Sequence, residues 1–146
     1  MISVLEAYAG LALSAFLAAT ILPVSSEAVL ASLTLGSDQN IWVLWLIAST
    51  ANTLGSMVNW WLGRSCLRYS RRRWFPFSSA AMEAAGQRFR RWGQWSLLLA
   101  WVPIVGDPLT FAAGVMATDW RLTIILLATG KAARYGIVIA AAVQFT

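Results

Sequence analysis

Residues 41–63 carry no charged side chain, and the run is long enough to cross a hydrocarbon core that needs about 20 residues. It reads as a transmembrane helix. Within it Ser49, Asn52, Thr53, Ser56 and Asn59 recur at three- and four-residue steps as one polar stripe, with Trp42, Trp45 and Leu46 off it. Such a stripe faces protein or water rather than lipid, so it either lines a pathway or packs against another helix. A second run of spanning length, 122–143, holds Lys131 and Arg134 about one turn apart near its middle. Cations at that depth are costly and face a partner or a cavity. Snorkelling is the alternative, but each lies roughly ten residues from either end.

Two further apolar regions are broken. Residues 95–106 form one arm, Asp107-Pro108 follows, and a shorter arm runs to Thr118. At about 1.5 Å per residue each arm reaches some 16 to 18 Å, too short for a core of about 30 Å. A re-entrant hairpin fits, because irregular backbone at depth is tolerated where it is buried in protein or lines a wet cavity. Residues 7–36 repeat the design, with Pro23 and Glu27 at the break. An offset of 80 residues maps Pro23 onto Pro103 and Glu27 onto Asp107, so each half has two short arms, a turn and a spanning helix. The halves then run in opposite orientations, the inverted repeat of secondary transporters. The expected organisation is one all-α membrane domain over 1–146. Its parts are a first repeat at about 7–63, a basic loop with an amphipathic helix at 64–94 and a second repeat at about 95–143.

Composition agrees with a bilayer as solvent. The chain is 59% hydrophobic and 12% charged, with a mean hydropathy of +0.65, whereas soluble domains are about 25% charged. Its net charge of +5 does not point to nucleic acid, since little polar surface is available to display it. Eight of the 11 Lys and Arg residues (Arg64, Arg68, Arg71, Arg72, Arg73, Arg88, Arg90 and Arg91) lie between the spanning helices, and none precedes Arg64. That loop is therefore expected in the cytoplasm. Met82, Ala85, Phe89 and Trp92 share one helical face within it, as in a helix lying on an anionic leaflet or serving as a topological anchor. With both broken regions re-entrant the C-terminus would be periplasmic. If they span, it would be cytoplasmic.

The chemistry available is narrow. There is no histidine, which removes Ser/His/Asp and Cys/His dyads and imidazole metal sites. Cys66 is the only cysteine and reads as an incidental thiol, although neighbouring arginines would activate it. No phosphate-binding glycine motif opens a helix, the N-terminus lacks the basic region of a cleaved signal, and no cofactor, metal or enzymatic activity is expected. What remains is a buried charge set, Glu27 and Asp107 against Lys131 and Arg134. Pairing alone would spare each ion its desolvation cost. The functional reading is that a carboxylate in low dielectric accepts a proton readily, while Lys131 or Arg134 holds a phosphate or another anion.

The residues also carry a resemblance. Leu22-Pro23-Val24-Ser25-Ser26-Glu27, Gly63-Arg64, Trp101-Val102-Pro103-Ile104-Val105-Gly106-Asp107-Pro108 leading to Ala113-Gly114, and Gly130-Lys131-Ala132-Ala133-Arg134-Tyr135 together resemble the DedA family, in its short YqaA-like branch, over nearly the whole chain. The resemblance implies two facing re-entrant hairpins and proton- or sodium-dependent movement of lipids, such as a polyprenyl phosphate carrier, in a bacterial inner membrane. Glu27 would match the acid of the first hairpin, and Pro103 and Gly114 the landmarks of the second. Larger members usually carry an arginine three residues after the second proline. Gly106 stands there in this chain, followed by Asp107, which leaves Lys131 and Arg134 as the anion-binding candidates.

The leading expectation is an inner-membrane transporter or flippase of an anionic lipid, a polyprenyl phosphate or a phospholipid, driven by protons through Glu27 and Asp107. Arg64, Lys131 and Arg134 are the candidates for binding the anion. Pro23, Pro103, Pro108, Gly106 and Gly114 shape the hairpins. One alternative is an exporter of cationic compounds of the small multidrug-resistance type, against which Lys131 and Arg134 argue. Another is a non-transporting factor that organises other envelope proteins. The expected partners are membrane lipids, with protons or sodium as coupling ion and a homo-oligomer as an allowed assembly, and no nucleic acid.

Overall fold

The computed structural model describes residues 4–20, 25–36, 39–65, 79–102 and 105–144. Pro23, Pro103, Cys66, Arg68, Arg71, Arg72 and Arg73, and the side chains of Met82 and Ala85, lie outside them. Among the described residues every regular element is helical: α1 (Val4–Ala18), α2 (Ser26–Gly36), α3 (Ile41–Ser65), α4 (Ser79–Trp92), a 3-10 helix (Gly93–Trp101), α5 (Gly106–Val115) and α6 (Trp120–Val143). Helices α3 and α6, of 25 and 24 residues, are the two among the described residues that are long and apolar enough to cross a membrane. Both begin at an Asx cap. The Asn40 Oδ1 accepts from the Trp42 N–H at 2.9 Å and the Asp119 Oδ1 from the Arg121 N–H at 2.7 Å, satisfying donors that a helix start leaves open.

The exposed apolar side chains of α3 include Trp42 and Leu46 near its start and Leu54, Val58 and Trp61 on the face opposite its polar stripe. Trp42 and Trp61 are 19 positions apart, about 28 Å of helix. They stand where interfacial tryptophans would bracket a hydrocarbon core of about 30 Å.

The chain forms two compact units, one of residues 1–55 and 131–146 and the other of 56–130. In the first, α1 packs on α2. Its core joins Leu11, Leu30, Leu44, Ala48, Tyr135 and Ile139 from four helices. The backbone of α3 comes close to α1 at Gly55, where a Cβ would lie 2.8 Å from the Ala19 Cβ.

In the second unit the 3-10 helix and α4 pack on α5 around Phe89, Leu97, Leu109, Ala113 and Leu126. Here α3 and α5 touch through reciprocal glycines. A Cβ on Gly63 would meet the Val115 nitrogen at 3.1 Å, and one on Gly114 the Arg64 nitrogen at 3.0 Å. The expected landmark Gly114 is thus a point of close helix packing.

The second broken region differs from expectation in two respects. Its first arm is a 3-10 helix joined to α4 through Gly93, whose φ of +59° suits a residue without a Cβ. That helix ends at Trp101, and Asp107-Pro108 lies inside the next helix rather than between the arms. Gly106 opens α5, and Asp107 and Pro108 lie in the first turn of that helix. Proline is tolerated in a first turn because its missing N–H would have no partner there.

Candidate functional site

The polar stripe of α3 is buried throughout: Ser49, Asn52, Thr53, Ser56 and Asn59 all lie among the buried polar side chains. It faces protein, and two of its amides, Asn52 in the first unit and Asn59 in the second, each bond a charged side chain. In the first unit Lys131, 4% exposed, donates to the Asn52 Oδ1. The Nδ2 of the same amide donates to the Ala15 carbonyl at 2.7 Å. One asparagine thus ties α1, α3 and α6 together and supplies oxygen to a buried ammonium. The Thr53 hydroxyl returns to the Ser49 carbonyl at 2.7 Å, while the buried Ser49 Oγ makes no hydrogen bond among the described residues.

One turn further along α6, the Arg134 guanidinium pairs with the Glu27 carboxylate in the first turn of α2. Their side chains are 22% and 27% exposed. Beside this pair runs a neutral contact that sequence reasoning missed, with Ser26 Oγ and Tyr135 Oη 2.8 Å apart and each residue 1% exposed. Ser26 precedes Glu27 and Tyr135 follows Arg134, so α2 is attached to α6 by two adjacent bonds, one charged and one neutral. Trp45 completes the frame by donating its indole N–H to the Ala132 carbonyl at 2.8 Å.

Asp107 belongs to the second unit. Its Oδ1 accepts from the Asn59 Nδ2 at 3.3 Å, in a helix first turn where the dipole favours an anion. Trp60, one residue on, donates to the Thr118 hydroxyl at 3.0 Å, and that hydroxyl donates to the Ala113 carbonyl at 3.0 Å.

Of the four expected charges, Glu27 and Arg134 meet directly, Lys131 is held by Asn52, and Asp107 is held by Asn59. Arg64 is exposed in the last turn of α3, where a cation suits the negative end of the helix. The arginines of α4, Arg88, Arg90 and Arg91, are exposed, while Phe89 is buried and Trp92 is exposed.

The VTT domain family matches residues 21–144. Inner membrane protein YqaA of Escherichia coli (strain K12) is 42% identical over 133 residues, covering 90% of this chain and 87% of that protein. The Shigella flexneri protein of the same name gives the same figures. A Haemophilus influenzae protein is 35% identical over 130 residues, 84% of this chain and 79% of its own. No solved structure matches the chain. With buried charges among apolar helices, two of them of spanning length, and these relatives along most of its length, the chain is an inner-membrane protein of the VTT-domain (DedA) family.

Proposed function

We propose that the protein moves an anionic lipid, a phospholipid or polyprenyl phosphate, across the inner membrane in exchange for or together with protons. Glu27 and Asp107 serve as proton-exchanging carboxylates. The observation that carries this reading is the Glu27–Arg134 pair, which joins the start of a short helix to the middle of a spanning one. Charges at membrane depth are rare and cluster on substrate and ion pathways. Asn52, the partner of Lys131, stands ten positions from Trp42 and nine from Trp61, which supports a mid-membrane depth for that ammonium.

In this reading α1 with α2, and the 3-10 helix with α5, are re-entrant hairpins of an inverted repeat. The first pair has 15 and 11 residues, the second 9 and 10. At most about 23 Å long, no single arm reaches across the core. The loop 64–94 is cytoplasmic, with Arg88, Arg90 and Arg91 of α4 exposed toward an anionic leaflet.

The test is transbilayer movement of labelled phosphatidylglycerol in proteoliposomes, with and without a pH gradient. Movement above protein-free vesicles that responds to the gradient is expected, with the gradient-driven part lost in Glu27→Gln. Absence of movement by folded protein for every anionic lipid tried would reject the reading.

A further inference from the structure

We propose that Glu27 sits on Arg134 as an internal stand-in for the phosphate of the lipid head group, so that a proton and the anion must enter this site together. The inference rests on the anionic-lipid reading above and adds to it the residue that receives the anion and the rule by which proton and anion are tied.

The argument starts from which cation can be reached. Lys131 is 4% exposed and donates to an amide that also anchors α1 through the Ala15 carbonyl. An anion could reach it only by opening the packing of α1, α3 and α6. Arg134 is different, since its side chain and that of its partner Glu27 are 22% and 27% exposed. Its guanidinium, bonded to Glu27 through Nη2, carries the planar donor set that matches carboxylate and phosphate alike. A phosphate arriving at Arg134 therefore competes with the Glu27 carboxylate for the same donors.

The competition is governed by protonation. Ionised Glu27 is a full competitor. Protonated Glu27 is a neutral acceptor and leaves most of the guanidinium's charge to the newcomer. The hairpin need not detach when this happens, because the Ser26–Tyr135 bond holds α2 on α6 without any charge. Among the described residues of this unit the charged side chains are Glu6, Glu27, Lys131 and Arg134, and the phenols are Tyr8 and Tyr135. Glu6 is exposed in the first turn of α1, Tyr8 packs on the apolar core, and the α3 segment of this unit brings no charge. Lys131, one turn from Arg134 on α6, adds fixed positive potential that favours the anion at any pH.

Linkage fixes the signature. Above the ionisation of Glu27 each anion bound takes up one proton, so affinity falls about tenfold per pH unit. Reciprocally, the bound anion strengthens proton binding at Glu27 by the ratio of the anion's affinities for the protonated and ionised forms. The test uses the purified full chain in detergent at a series of pH values. It is titrated with dihexanoyl phosphatidylglycerol, whose phosphodiester keeps one charge throughout, and separately with inorganic sulfate. Calorimetry in two buffers of different ionisation enthalpy reads the protons taken up.

The expected result is one proton per lipid anion on the alkaline limb and binding that weakens as pH rises. Glu27→Gln, with its fold checked by circular dichroism, should bind without proton uptake or pH dependence, and Arg134→Gln should bind at least tenfold more weakly at low pH. Wild-type binding of equal strength across the series without proton uptake would overturn the exchange, as would a Glu27→Gln variant that keeps the pH dependence. If only sulfate binds, with its proton, the exchange stands and the lipid reading falls. If neither anion binds to folded protein, both fall.

Discussion

Glu27 and Asp107 each lie in the first turn of a short helix, yet α6 offers Glu27 a guanidinium while α3 offers Asp107 a side-chain amide. The helix dipole favours an acid at both positions, so their shared placement has a structural explanation on its own. The partner separates them. An arginine attracts any anion that reaches it, and its bond to a carboxylate weakens when the carboxylate takes a proton. An amide discriminates far less between charge states. The Glu27–Arg134 contact is therefore the one whose strength depends directly on protonation, while the Asn59–Asp107 contact also steadies a helix start.

The largest effect should come from the second half's packing. Gly114→Leu places a side chain against the backbone of α3 at Trp60 and Arg64, and overpacking of this kind costs about 1 to 3 kcal/mol or more. Loss of folded protein in detergent, read by thermal unfolding, is expected. Wild-type stability in that variant would refute the close glycine contact. A smaller effect separates the two bonds that attach α2. Tyr135→Phe removes the Ser26 contact and should cost about 1 kcal/mol, with Ser26→Ala costing the same and the double variant no more than either alone. Additive losses would mean that the two hydroxyls do not bond each other.

The caps of the spanning helices should prove equal. Asn40→Ala and Asp119→Ala are each expected to cost about 1 kcal/mol, since both satisfy the N–H two residues on. A large inequality would break the likeness of the halves at this level. The smallest effect should be a gain. Ala117 has a φ of +57° directly after α5, a conformation glycine adopts without penalty, so Ala117→Gly should stabilise by up to about 1 kcal/mol.

Much of this architecture was legible because long apolar runs leave few options. The expected spans 41–63 and 122–143 match α3 and α6 to within two residues at each end, and the buried polar face of α3 followed from helical spacing. Asn40 and Asp119 were available as start signals and would have set the α6 boundary two residues earlier. The 3-10 arm was not legible, since its apolar residues have no period that separates it from an α-helix. Nor were the partners. The stripe indicated that Asn52 and Asn59 face inward, but only the packing of residues 79 and 48 positions away brings Lys131 to one and Asp107 to the other. The Ser26–Tyr135 bond spans 109 positions and had no signal beyond adjacency to Glu27 and Arg134.

The most direct test of the central claim sets the two acids side by side. Gradient-driven movement of labelled phosphatidylglycerol would be measured in proteoliposomes bearing the wild type, Glu27→Gln or Asp107→Asn, at matched reconstitution. The account predicts that Glu27→Gln loses the response to the pH gradient and that Asp107→Asn is affected less. A full gradient response in Glu27→Gln, with or without a loss in Asp107→Asn, would contradict it.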